Sequence, residues 1–135
     1  MKPIKFKYIF SNGKEFKNII LTLKEIENGQ LKAFTNNIPC SFKLVKVCQF
    51  INRFDEDNNE LCTFDLVLVK DKKSIFFDDI AKVVYIDSSF VLQSVDFEDE
   101  RWEYFNRDIL RNKYKRLGNI YENKELLEES KCQHQ

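Results

Sequence analysis

Apolar and polar residues alternate at the start of the chain, Ile4, Phe6, Tyr8 and Phe10 against Lys5 and Lys7, until Ser11-Asn12-Gly13 breaks the run and residues 14–21 resume it. Period-two alternation on both sides of a glycine-containing turn predicts a β-hairpin. Thr22 is followed three residues later by Glu25, the spacing of a capping box, and Asn28-Gly29 supplies a left-handed stop. A short helix is therefore expected over 23–27, with 31–36 as a second helical turn. From residue 42 the pattern returns to strands, expected over 42–50, 61–69, 74–77, 82–86 and 90–95, with polar turns at Asp71-Lys72-Lys73 and Asp87-Ser88-Ser89. Between 98 and 112 the period changes: Trp102, Phe105, Ile109 and Leu110 share one face at helical spacing, which predicts a helix inserted before the last strand. That strand, 114–121, holds Gly118 at its middle, the mark of a bulge or a close backbone approach. A final short helix is expected over 125–130, then a frayed tail over 131–135. Short strands in quick succession favour a closed barrel over a parallel sheet. The expected fold is a single mainly β domain: an α+β hairpin-plus-helix subdomain over 1–41, then a barrel with an inserted helix over 42–130.

At 135 residues the chain suits one domain with a self-standing core. Thirteen Phe, five Tyr and one Trp against three Gly and two Pro describe an ordered globule whose rings mostly fill that core. The sequence holds no apolar stretch of the roughly 20 residues that span a bilayer. Its lysine-rich start lacks the apolar centre of a signal peptide, so a cytoplasmic protein is expected. Cys40, Cys48, Cys62 and Cys132 are scattered without a CxxC pair, which argues for thiols over a zinc knuckle or redox motif and places Cys48 and Cys62 on buried strands.

Chemistry is limited by what is missing. The single histidine, His134, sits one residue from the end of the sequence, so a Ser-His-Asp triad or Cys-His pair has no fixed base. No glycine-rich phosphate loop or nucleophile elbow occurs. Asp55-Glu56-Asp57-Asn58-Asn59-Glu60 has the look of a calcium loop but no glycine at its sixth position, and Leu66 stands where the bidentate glutamate belongs. It reads as a solvated hairpin loop. Asp78-Asp79 reads as turn chemistry, because neighbours on a strand point to opposite faces and cannot share a proton or a magnesium ion. No enzyme, metal or cofactor is expected.

Charge is segregated although the net charge is zero. Residues 101–117 hold Arg101, Arg107, Arg111, Lys113, Lys115 and Arg116 against Glu103 and Asp108, whereas 54–79 hold eight acids against three lysines. Cations interleaved with Trp102, Tyr104 and Tyr114 are what a nucleic-acid surface uses, cations on phosphates and rings on bases. The plainer arrangement, with rings in the core and cations paired to Glu98, Asp99 and Glu100, is preferred. The candidate binding residues are Arg107, Arg111, Lys115 and Arg116 beside Trp102 and Tyr104, since Arg and aromatic residues dominate binding hot spots.

The run Leu117-Gly118-Asn119-Ile120-Tyr121-Glu122-Asn123-Lys124-Glu125-Leu126-Leu127 resembles the closing signature of the YopX family of phage and prophage proteins. The middle of the chain is similar to the same family: Gln49, Phe50, Asp55, Asp65 and Val67 match its central motif, while Asn52 and Asn58 replace two turn glycines and Phe64 replaces the glycine before Asp65. Asparagine still reaches left-handed backbone angles at modest cost, but phenylalanine does so poorly, so the bend at Phe64 is expected to be altered. Residues 4–8, 22–29 and 89–92 also look like family elements. The resemblance implies the barrel with its N-terminal α+β subdomain, and a phage or prophage setting. It supplies no activity. The expected role is a non-enzymatic accessory protein that binds a host or phage macromolecule, with counter-defence one use and homo-oligomerisation open; the alternative is nucleic-acid binding through the 101–117 face.

Overall fold

The computed structural model describes residues 3–96, 98–105 and 113–127, and the chain divides into two compact units, 1–50 and 51–135. In the first unit β1 (Lys5–Ser11) and β2 (Phe16–Thr22) form the expected hairpin, in register from Lys5 opposite Thr22 to Ser11 opposite Phe16. The Asn12 carboxamide oxygen accepts from the Lys14 and Glu15 amides and so holds the loop closed. Thr22 ends β2 and starts α1 (Leu23–Glu27): its hydroxyl accepts from the Glu25 amide at 3.1 Å while the Glu25 carboxylate accepts from the Thr22 amide at 2.9 Å. This is the capping box read from the sequence, satisfying two amides a helix start leaves without partners. Gly29, at φ +77°, turns the chain into α2 (Gln30–Thr35). β3 (Lys43–Phe54) flanks the other side of β1, with Val45 bulged out where the register moves from Ile9–Lys46 to Phe10–Leu44. Ile9, Phe10, Leu21 and Cys48 are buried in this unit.

In the second unit β3 runs on beside β4 (Glu60–Cys62). The remaining strands, β5 (Asp65–Val69), β6 (Ile80–Ile86), β7 (Ser89–Ser94), β8 (Trp102–Tyr104) and β9 (Tyr114–Asn119), form an antiparallel sheet in the order β8-β7-β6-β5-β9. One face of it, with Val67, Val69, Ala81, Val83, Leu92 and Tyr114, packs with Leu61, Phe76 and Phe105, and Ile51 closes over them. β6 and β7 meet through a two-residue turn at Asp87 and Ser88, whose φ values of +50° and +67° are those of a type I′ hairpin.

Several expectations meet a different local structure. Residues 74–77 are turn, not strand: the Phe76 amide donates to the Ser74 hydroxyl and the Ile75 amide to Glu103, so they join no ladder. The expected 61–69 strand is broken at Thr63-Phe64 into β4 and β5. Phe64 stands at φ +70°, the left-handed region that phenylalanine was expected to reach poorly; Asn52 and Asn58 also stand at positive φ, +58° and +66°. Finally, the expected helix over 98–112 does not begin at Trp102, since Trp102–Tyr104 is strand β8 paired to β7; residues 106–112 lie outside the described residues. The described pairings close no barrel, because β8 and β9 are the two edges of their sheet. Residues 124–127 are helical, and the rest of the expected last helix lies outside the described residues.

Candidate functional site

Asp55, Asp65, Gly118, Asn119 and Asn123, among the residues that carry the family resemblance, meet in a knot around β9. Asp55, fully buried, accepts from the amides of Asp57 (3.0 Å), Asn59 (2.7 Å) and Arg116 (2.9 Å) and from the Asn59 carboxamide (3.2 Å). Burial pushes its acidity down, but these hydrogen bonds outweigh burial and hold its pKa below the usual carboxylate value. The loop is thus not simply solvated, as the sequence suggested: its tip at Asp57–Asn59 is exposed while Asp55 pins it from beneath. Asp65, also buried, accepts from the Cys62 amide and takes the Arg116 guanidinium through Nε at 3.1 Å and through a second nitrogen at 3.2 Å. That two-pronged pairing is the geometry guanidinium makes with carboxylate.

Gly118 follows the β9 bulge, where the register moves from Leu66–Gly118 to Val67–Arg116 and leaves Leu117 unpaired. Its φ is +154°, and a Cβ there would overlap the Asn123 side chain, so the close approach read from the sequence is real. Asn123 uses the space to accept from the Asn119 amide, and buried Asn119 accepts in turn from the Tyr121 and Glu122 amides. These side chains bond chiefly to one another and to nearby backbone. They hold β4, β5 and β9 together.

The four described residues of the predicted basic and aromatic set stand on two strands, β8 and β9. Arg107 and Arg111 lie outside the described residues. Trp102 and Tyr104 stand on β8, their rings edge to face at 5.2 Å, while Lys115 and Arg116 stand on β9, at the opposite edge of the sheet. The described cations of 101–117 each have an acid: Arg101 with Asp99 at 2.8 Å, Lys113 with Asp71 at 3.9 Å, Lys115 with Glu56 at 3.7 Å and Arg116 with Asp65. The hydrogen bond from Arg101 holds the Asp99 pKa down at about 2. One partner, Asp99, is among the three acids the sequence offered; Glu56, Asp65 and Asp71 come from distant positions.

Beside Trp102 and Tyr104 lies a groove of about 350 Å³ lined by Arg53, Ser89, Phe90, Tyr104 and Phe105. The Arg53 guanidinium lies over the Phe105 ring, 4.9 Å from its centre, and Phe90 meets Tyr85 edge to face at 5.1 Å. Tyr104 is 63% exposed and Tyr85 61%, both unusually open for aromatic residues on strands. The volume falls in the range of ligand sites, and the lining of rings with a few polar groups is typical of them. Sequence reading found Tyr104 but not Arg53, on β3, or Ser89 and Phe90, on β7, which share no spacing with it.

No helix among the described residues is long and apolar enough to cross a membrane. Comparison with curated proteins finds no match to this chain. The family model described as YopX protein matches residues 2–128, nearly the whole chain and all of the knot, and the chain belongs to the YopX family.

Proposed function

We propose that this YopX-family chain is a non-enzymatic accessory protein of a phage or prophage, working in the host cytoplasm by binding a host or phage macromolecule, with interference in host defence as one use. The observation that carries this reading is the aromatic pair on β8, exposed Tyr104 against half-buried Trp102, with Tyr104 lining the Arg53 groove. A large ring held by a strand and left in solvent, as Tyr104 is, supplies contact area at little entropic cost, the makings of a binding hot spot. The saturated knot supports the non-enzymatic part, since its buried carboxylates are occupied by amides and a guanidinium rather than aimed at an opening. A protein partner is favoured over nucleic acid because the described cations of 101–117 are paired with acids, and such pairing weakens attraction to phosphates.

Affinity capture from host lysate tests the reading with three baits: the wild type, Trp102→Ala with Tyr104→Ala, and Arg107→Glu with Arg111→Glu. A specific protein held by the wild type and lost with the aromatic variant is the expected result. Binding of random oligonucleotides that weakens steeply with salt, and is lost with the arginine variant, would favour the nucleic-acid alternative.

A further inference from the structure

Where the backbone hydrogen bonds of the five-stranded sheet go distinguishes its two edges. On β9 the Lys70 amide donates to the Lys113 carbonyl, so by antiparallel alternation residues 113 and 115 face β5 while 114 and 116 face outward. Both outward positions are engaged: the Tyr114 carbonyl accepts from the Glu56 amide at 2.9 Å, and the Arg116 amide donates to Asp55. This edge is capped by the turn that follows β3.

On β8 the same alternation gives the opposite result. The Ser94 amide donates to the Arg101 carbonyl, so 101 and 103 face β7, and the amides and carbonyls of Trp102 and Tyr104 face away from the sheet. Among the described residues these four outward groups take no hydrogen bond. They stand about 6.8 Å apart along the strand, the two-residue repeat of an extended chain, and the Tyr104 side chain borders the groove. Trp102 and Tyr104 lie on one face of β8, so an added strand would set side chains two residues apart against the two rings.

We propose that the outer edge of β8 is a strand-addition site for an extended segment of a partner protein with apolar, β-branched or aromatic side chains at positions i and i+2. This rests on the binding role proposed above and specifies its mode. The spacing of the unpaired groups suits a peptide main chain. Four main-chain hydrogen bonds supply affinity, and the seats beside Trp102 and Tyr104, the latter opening into the groove with Phe90 and Phe105, supply selectivity.

The probe is a library of seven-residue peptides of Thr and Ser in which two positions, two residues apart, vary among Val, Ile, Phe, Tyr and Trp. Peptides selected on the full chain are expected to slow amide exchange at Trp102 and Tyr104. Methylating the peptide amide that faces β8 should weaken binding about tenfold, the loss of one hydrogen bond, and methylating the next amide should leave it unchanged. A selected peptide that protects another region, or that tolerates methylation at both amides, overturns strand addition and leaves the binding role standing. Selection of no peptide overturns it too, as does protection of β8 by self-association in peptide-free samples, since the edge then belongs to a second copy.

Discussion

Removing the Asp55 side chain tests whether the signature knot carries the second unit. The carboxylate accepts four hydrogen bonds, at 2.7 to 3.2 Å. In Asp55→Ala the amides of Asp57 and Asn59 sit at an exposed tip where water replaces the lost acceptor, but the Arg116 amide, on the capped edge of β9, has only a void to face. A hydrogen bond to a charged group contributes about 1.5–3 kcal/mol, and an orphaned buried donor costs about 1–3 kcal/mol more. Allowing for non-additivity, the loss should be about 3–4 kcal/mol, a fall in Tm of roughly 10–15 °C for a domain of this size. Differential scanning calorimetry at pH 7 measures it, and Asp55→Asn, which keeps one acceptor oxygen without the charge, should fall between. The pH dependence adds a second constraint. Because the folded pKa of Asp55 is lowered, its contribution is complete above the unfolded value of about 3.9 and fades as pH drops through the folded one. The gap between wild type and Asp55→Ala should therefore narrow as pH falls below about 4. A variant that melts within about 2 °C of wild type at pH 7, or a gap that widens in acid, refutes the assignment of Asp55 as the clamp.

Gly118→Ala should lose about 2–4 kcal/mol, from the strained φ and the overlap with Asn123 together; Asn123→Ala in the same chain should recover part of it in denaturant titrations, and two additive losses would contradict the overlap. Phe64→Gly should be more stable than Phe64→Ala by about 1 kcal/mol, since both lose the edge-to-face contact with Tyr121 but only glycine escapes the left-handed penalty. Equal melting temperatures would mean that the turn is not held at positive φ. In native protein an alkylating reagent should modify exposed Cys40 quickly and spare buried Cys48 and Cys62 until denaturant is added, read by peptide mass spectrometry. Rapid native labelling of Cys62 would show that β4 opens easily.

What the sequence disclosed was local, and what it hid was decided by partners far along the chain. The capping box at Thr22 and Glu25, the loop at Asn12 and the left-handed Asn52 and Asn58 each depend on neighbours within a few positions, and each was legible. Ile75-Phe76-Phe77 has the composition of a strand, yet its direction is set by Glu103, 28 residues from Ile75, and only Phe76 is buried. Trp102 and Phe105 fit a helical spacing, but pairing with β7 pulls Trp102–Tyr104 into an extended edge. The basic run was visible as charge, while three of its neutralising acids, Glu56, Asp65 and Asp71, lie more than 40 residues away. The same distinction applies to function. Here the signature residues Asp55, Asp65, Gly118 and Asn119 are engaged in holding β9 and the segments beside it in place. A surface that acts must be built from groups the fold leaves unused. Among the described residues the outward amides and carbonyls of Trp102 and Tyr104 are such groups, and no side-chain pattern announces them, because main-chain atoms are the same at every position and only the strand order shows which are left over.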